Sequence, residues 1–180
     1  LEKYRIIIAY LDCLYWGYFL TDRYKYIWTV NRILNIAESK IGYSNELGFA
    51  MVHFGEMHIV AKKKMNITIM KYIERAGSIF SELGDQWGIA SYYWVKNTYH
   101  LVNCEYGSII QKHYTFLPAI EKIGDGFELI KTYYSQFISH YYLSNYKESR
   151  LYYEKCKKYI TNIIQEIIFL NSGYPSGYYI

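Results

Sequence analysis

A period of about forty residues constrains this chain more than any other feature. Leu83-Gly84-Asp85 and Ile123-Gly124-Asp125 each set an aliphatic residue before Gly-Asp and an apolar-rich run after it. Ile41-Gly42-Tyr43 is a degenerate first copy, and the three glycines stand 42 and 40 residues apart. A second landmark falls midway. Thr21-Asp22-Arg23-Tyr24, Asn103-Cys104-Glu105-Tyr106 and Ser144-Asn145-Tyr146 are short polar clusters ending in Tyr, with Lys63-Lys64-Met65 in the equivalent place. Their anchors, Tyr24, Met65, Tyr106 and Tyr146, are spaced 41, 41 and 40 residues. Two independent marks on one period identify a repeated structural unit.

Between the marks the apolar spacing is helical. Ile89, Tyr92, Tyr93 and Leu101 precede the turn at 103–106, and Ile109, Ile110, Tyr114, Leu117 and Ile120 follow it at three- and four-residue steps. Each unit therefore reads as helix, tight turn, helix and Gly turn. Glycine can take the left-handed conformation that closes a helix, and Asp85 and Asp125 can cap the next helix start. The expected fold is all-α, with about four antiparallel helix-turn-helix units at 1–40, 41–82, 83–122 and 123–161. Residues 1–161 form one domain on this reading, 162–170 prolong the last helix, and 171–180 are a turn-rich tail. Pro118 lies inside a predicted helix, which it should kink or shorten.

Composition narrows the function classes. No window approaches the ~18 uncharged apolar residues of a membrane span, and a net charge of +4 from 20 basic and 16 acidic residues makes no case for a polyanion. The one dense basic run, at 62–64, reads as a solvated turn. Cys13, Cys104 and Cys156 are odd in number and unpaired by spacing, which predicts a reducing, cytoplasmic setting and no disulfide framework or zinc site. No signal peptide is visible, and Leu1 already stands in a helical pattern, which suggests a piece of something longer. The 24 tyrosines suit the half-exposed faces of thin helical layers, since each buries a ring while its hydroxyl reaches water.

Catalytic chemistry is not announced. In HFGEMH at 53–58, His53 and Glu56 share a helix face, but the spacing is not HExxH and no third ligand is evident. His100, His113 and His140 have no carboxylate at useful spacing, and there is no phosphate-cradling glycine loop. The expectation is no enzyme, no catalytic residue, no metal and no cofactor.

The string LGDQWGIA, the turn CEYGSI, a second helix and then IGDGFELI resemble the tetratricopeptide repeat, in the roughly forty-residue variety of bacterial transcriptional activators, signalling ATPases and cyclase-linked proteins. The resemblance covers about residues 1–161 and is strongest over 83–149. It implies a right-handed superhelical array, an α-solenoid, whose first helices line a concave groove. Two columns would face inward: Asp12, His53, Trp94 and Tyr134, and Trp16, Met57, Thr98 and Ile138, with Phe19, Lys131 and Tyr141 nearby. Such a face would suit an extended peptide or a partner helix. The leading expectation is therefore a protein- or peptide-binding module of a larger signalling or regulatory protein. The alternative is a sensor of a small molecule or signalling peptide. Single-stranded RNA is a weaker third possibility, because the basic residues form no column at the period.

Overall fold

The computed structural model describes residues 1–62 and 67–160, without the side chains of 60–62 and 67. The Lys63-Lys64-Met65 turn, most of the basic run, and the predicted extension and tail beyond 161 lie outside the described residues. Among the described residues every regular element is helical: α1 (Glu2–Thr21), α2 (Arg23–Ile36), a π-helical turn (Ala37–Ile41), α3 (Asn45–Lys62), α4 (Ile67–Leu83), α5 (Gln86–Val102), α6 (Tyr106–Ile123), α7 (Gly126–Tyr142) and α8 (Tyr146–Tyr159).

The helix ends follow from local chemistry. Gly84 and Gly124 close α4 and α6 at φ 68° and 72°, in the left-handed region. The Asp125 carboxylate then accepts hydrogen bonds from the Phe127 and Glu128 N–H groups at 2.9 Å, and Asp85 accepts one from Gly88 at 3.0 Å. Each satisfies donors that a helix start leaves open. The degenerate first copy solves the same problem one residue later, with the Ser44 hydroxyl accepting from Leu47 N–H at 3.2 Å. Asp22 does so for α2, accepting from Tyr24 and Lys25.

Two turns are closed without glycine. Cys104 and Ser144 take φ 59° and 61°, and the following N–H reaches back five residues, Glu105 to His100 and Asn145 to His140, each at 2.8 Å. The same bond joins Asp85 to Phe80 at Gly84, so one helix stop is written with three different residues. Pro118 does not shorten its helix: α6 runs through it to Ile123.

The chain divides into two compact units, Leu1–Tyr92 and the part from Tyr93 onward, the division falling inside α5. In the first, α1 packs on α2, α2 on α3 and α3 on α4. The inner face of α4 shows how the sequence builds this layer: Ile69, Ile73, Ala76, Ile79 and Phe80 are buried, while Lys71, Glu74, Arg75, Ser78 and Glu82 face solvent. In the second unit α7 packs on both α6 and α8, which is why nearly all of Glu128 to Gln136 is buried. The α7–α8 pair is antiparallel, since the Ser149 hydroxyl donates to Phe137 C=O and the Cys156 thiol to Ile130 C=O.

Candidate functional site

In the first unit the expected site residues come from α1 and α3. Arg5 pairs with Glu46 at 2.9 Å, and the Tyr15 hydroxyl donates to Glu56 Oε2 at 2.8 Å. Both pairs are 41 residues apart, so the two helices run parallel, offset by the sequence period. Tyr15 is the pivot of this face. Its buried ring lies 4.3 Å from the His53 ring and 5.3 Å from those of Tyr26 and Trp16. Burial and the Glu56 carboxylate raise its hydroxyl well above the ordinary tyrosine range, so it remains a proton donor.

Trp16 and Phe19 are exposed, their rings edge-on at 6.1 Å, and His53 is half-buried between Tyr15 and Phe49. Met57, at 4% exposure, lies in the core with Tyr15, Tyr26 and Val30, so it supports the face from behind. Asp12 is half-buried, and its Oδ1 has no hydrogen-bond partner. Loss of hydration raises its carboxyl to about 6. The pair His53 and Glu56 makes no metal cluster: among the described residues no three His, Cys, Asp or Glu side chains are placed to hold an ion.

In the second unit the parallel arrangement recurs. Lys131 Nζ of α7 lies 5.4 Å from the Trp94 ring centroid of α5, and Asn97 Nδ2 donates to Ser135 Oγ at 3.4 Å. Lys131 is also 5.0 Å from the Phe127 ring and 2.5 Å from Glu128 Oε1. The ammonium is thus held between two aromatic faces and a carboxylate, with both charged side chains nearly out of solvent.

Thr98 directs its hydroxyl to Trp94 C=O, Tyr134 is buried, Ile138 is half-buried, and Tyr141 is exposed beside Tyr142 and Tyr146. Trp94 is half-buried and Tyr141 exposed, while the Lys131 side chain is nearly enclosed and Tyr134 belongs to the packed side of α7.

Two features escaped the sequence reading. Glu128 stands 40 residues after Gly88 and 80 after Gly48, at a place where a carboxylate is unexpected, and the period itself would have flagged it. The other is a buried polar group between α6, α7 and α8. Tyr152 lies edge-on to His113 at 5.3 Å and stacks on His140 at 5.5 Å, while Gln136 Nε2 donates to Ile109 C=O at 3.1 Å. His113 Nε2, His140 Nδ1 and Gln136 Oε1 have no hydrogen-bond partner. Burial, with the Lys155 charge and His140 nearby, lowers His113 to about 4, and burial lowers His140 as well. Neither histidine has the spacing of a motif, so only three-dimensional packing brings them together.

No described helix is long and apolar enough to cross a membrane. No family model, curated protein or solved structure matches the chain.

Proposed function

We propose that the chain is a helical-repeat scaffold of the tetratricopeptide type, a right-handed superhelical array that binds an extended peptide or partner helix as a non-catalytic module of a larger signalling or regulatory protein. The observation that carries the reading is the parallel pairing of α1 with α3, 41 residues apart, and of α5 with α7, 37 and 38 residues apart. Arg5 with Glu46 and Tyr15 with Glu56 join α1 to α3, and Trp94 with Lys131 and Asn97 with Ser135 join α5 to α7. First helices stacked in this way offer one side chain per unit to a ligand running across them. Trp16 and Phe19 in the first unit, and Trp94 and Tyr141 in the second, are the groups offered, with Lys131 holding the Trp94 ring.

The test is capture of a partner on the immobilised chain, identification by mass spectrometry, and titration of the purified pair. Trp94→Ala and Tyr141→Ala should each weaken binding about tenfold or more, as truncating an aromatic anchor does, with unchanged helical circular dichroism. Unaltered affinity in both variants, with the fold intact, rejects the assignment of this face.

A second reading, a sensor of a small polar molecule, is favoured by the three unpartnered atoms of His113, His140 and Gln136. A ligand that binds there only in the folded state would raise its stability with the logarithm of ligand concentration above the dissociation constant. A thermal-shift screen of small polar ligands, repeated on His113→Phe, separates the two readings.

A further inference from the structure

Three helices of the second unit bring two imidazoles onto one ring. His113 of α6 meets the edge of Tyr152 of α8 at 5.3 Å between centroids, and His140 of α7 stacks on its face at 5.5 Å. His113, Gln136 and Tyr152 are 4, 1 and 7% exposed. His113 Nε2, His140 Nδ1 and Gln136 Oε1 are enclosed without a hydrogen bond. A proton on either ring would set a charge that has lost its hydration and gained no hydrogen bond in exchange.

We infer that the His113–His140 pair makes the junction of α6, α7 and α8 an acid-sensitive switch, packed while both imidazoles are neutral and loosened when either takes a proton. The surrounding charges set the sign. From α8, Lys155 Nζ lies 5.0 Å from the Tyr152 ring and 5.2 Å from that of Tyr133 on α7, and its ammonium repels a second cation at His113. Glu148, also on α8, attracts one at His140, but it is exposed and burial outweighs it. The Glu121 carboxylate of α6 accepts from the Tyr133 hydroxyl at 3.0 Å, and Tyr114 of α6, its ring 5.5 Å from that of His113, hydrogen-bonds Tyr152. Burial holds the Tyr133 and Tyr152 hydroxyls and the Cys156 thiol above their ordinary ranges, so none of these ionises on the acid side of neutrality.

The packed state lowers His113 from 6.5 to about 4 and lowers His140 as well. The stabilisation it supplies is therefore full above about 6.5 and lost as pH falls toward 4. Between pH 7 and 5 the His113 shift alone multiplies the opening equilibrium about ten- to twentyfold. Asp12 in the first unit shifts the opposite way, so a whole-chain melt mixes two effects and a readout resolved by segment is required. No second molecule enters, which separates the switch from the sensor reading above: a chain that binds no small ligand would still respond to acid.

Amide hydrogen exchange, read by mass spectrometry and corrected for the intrinsic rate at each pH, should find α6, α7 and α8 about tenfold or more less protected at pH 5 than at pH 7. The double variant His113→Phe/His140→Phe keeps two rings against Tyr152 that cannot take a proton, and its difference should fall below about threefold. His113→Gln/His140→Gln, neutral at both pH values, takes its place if the larger rings prevent folding. In an NMR titration of the wild-type chain, the His113 ring should keep the signals of its neutral form down to about pH 5. Equal protection at both pH values, an acid effect that the neutral variants retain, or a His113 ring that titrates near 6.5 in the folded chain overturns the inference.

Discussion

Replacing Gly88 by alanine tests how tightly α4 and α5 are fitted together. Phe80 is fully buried, and its ring lies in a slot made by two glycines. A Cβ on Gly88 would stand 1.9 Å from Phe80 Cδ1 and 2.3 Å from Cγ, and one on Gly48 would stand 2.6 Å from Cε1. Phe49 also packs on this ring, at 4.9 Å between centroids. Ordinary carbon contacts are about 3.5–4 Å, so Gly88→Ala must push the ring by more than an ångström toward groups that leave it no room.

Two terms compete. Alanine gains about 0.8–1 kcal/mol of helix propensity over glycine, while overpacking a filled core costs about 1–3 kcal/mol. The Cγ contact lies at the root of the ring, where no rotation relieves it, so the upper half of that range applies. The net loss should be about 1–2 kcal/mol, which lowers the melting temperature by about 2–8 °C for a chain of this size. Urea unfolding followed by circular dichroism reads the effect. Gly107→Ala is the control: a Cβ there meets nothing within 4 Å, so it should be neutral or stabilising. Phe80→Leu in the Gly88→Ala background should recover part of the loss, because the two side chains compete for one space. Equal or greater stability of Gly88→Ala would refute the slot and the reasoning built on it.

Two further outcomes follow from the same structure. Asp12 has a folded pKa of about 6 against an ordinary 3.8, so the fold favours its protonated form, and that contribution is full below about 4 and lost as pH rises through 6. Asp12→Asn should therefore change little at pH 4 and stabilise the chain at pH 7 by about 1–2 kcal/mol, the full shift being discounted for partial exposure; equal effects at both pH values in urea titrations would exclude the linkage. Ser144 holds a left-handed φ of 61°, which costs a side-chain-bearing residue about 1 kcal/mol. Ser144→Gly should raise thermal stability by about 0.5–1 kcal/mol, and a destabilised variant would mean that the hydroxyl makes a contact worth more than the strain.

The helix ends were legible before any fold was known, because capping is chemistry between neighbours in sequence. Asp125 and Asp85 accept from the N–H groups just ahead of them, and Gly84 and Gly124 need only their missing Cβ. The stops at Cys104 and Ser144 were visible only as polar clusters, since neither residue advertises a left-handed backbone. Pro118 shows the opposite limit: its ring removes one hydrogen bond, and α6 nevertheless continues through it.

By itself the sequence determined that the described chain is helical, where its helices turn, and that the pattern recurs every forty residues. All of this is carried by interactions that span at most one helical turn. Which side of each helix is buried was decided only by the neighbours in space. Met57 and Tyr134 were expected beside Trp16 and Tyr141 on one lining, yet the first two are enclosed and the last two are open. A period of 3.6 residues fixes the angle between side chains on one helix but not what stands opposite them. The Phe80 slot between α3, α4 and α5 and the Lys131 ammonium beside Trp94 both depend on that second helix.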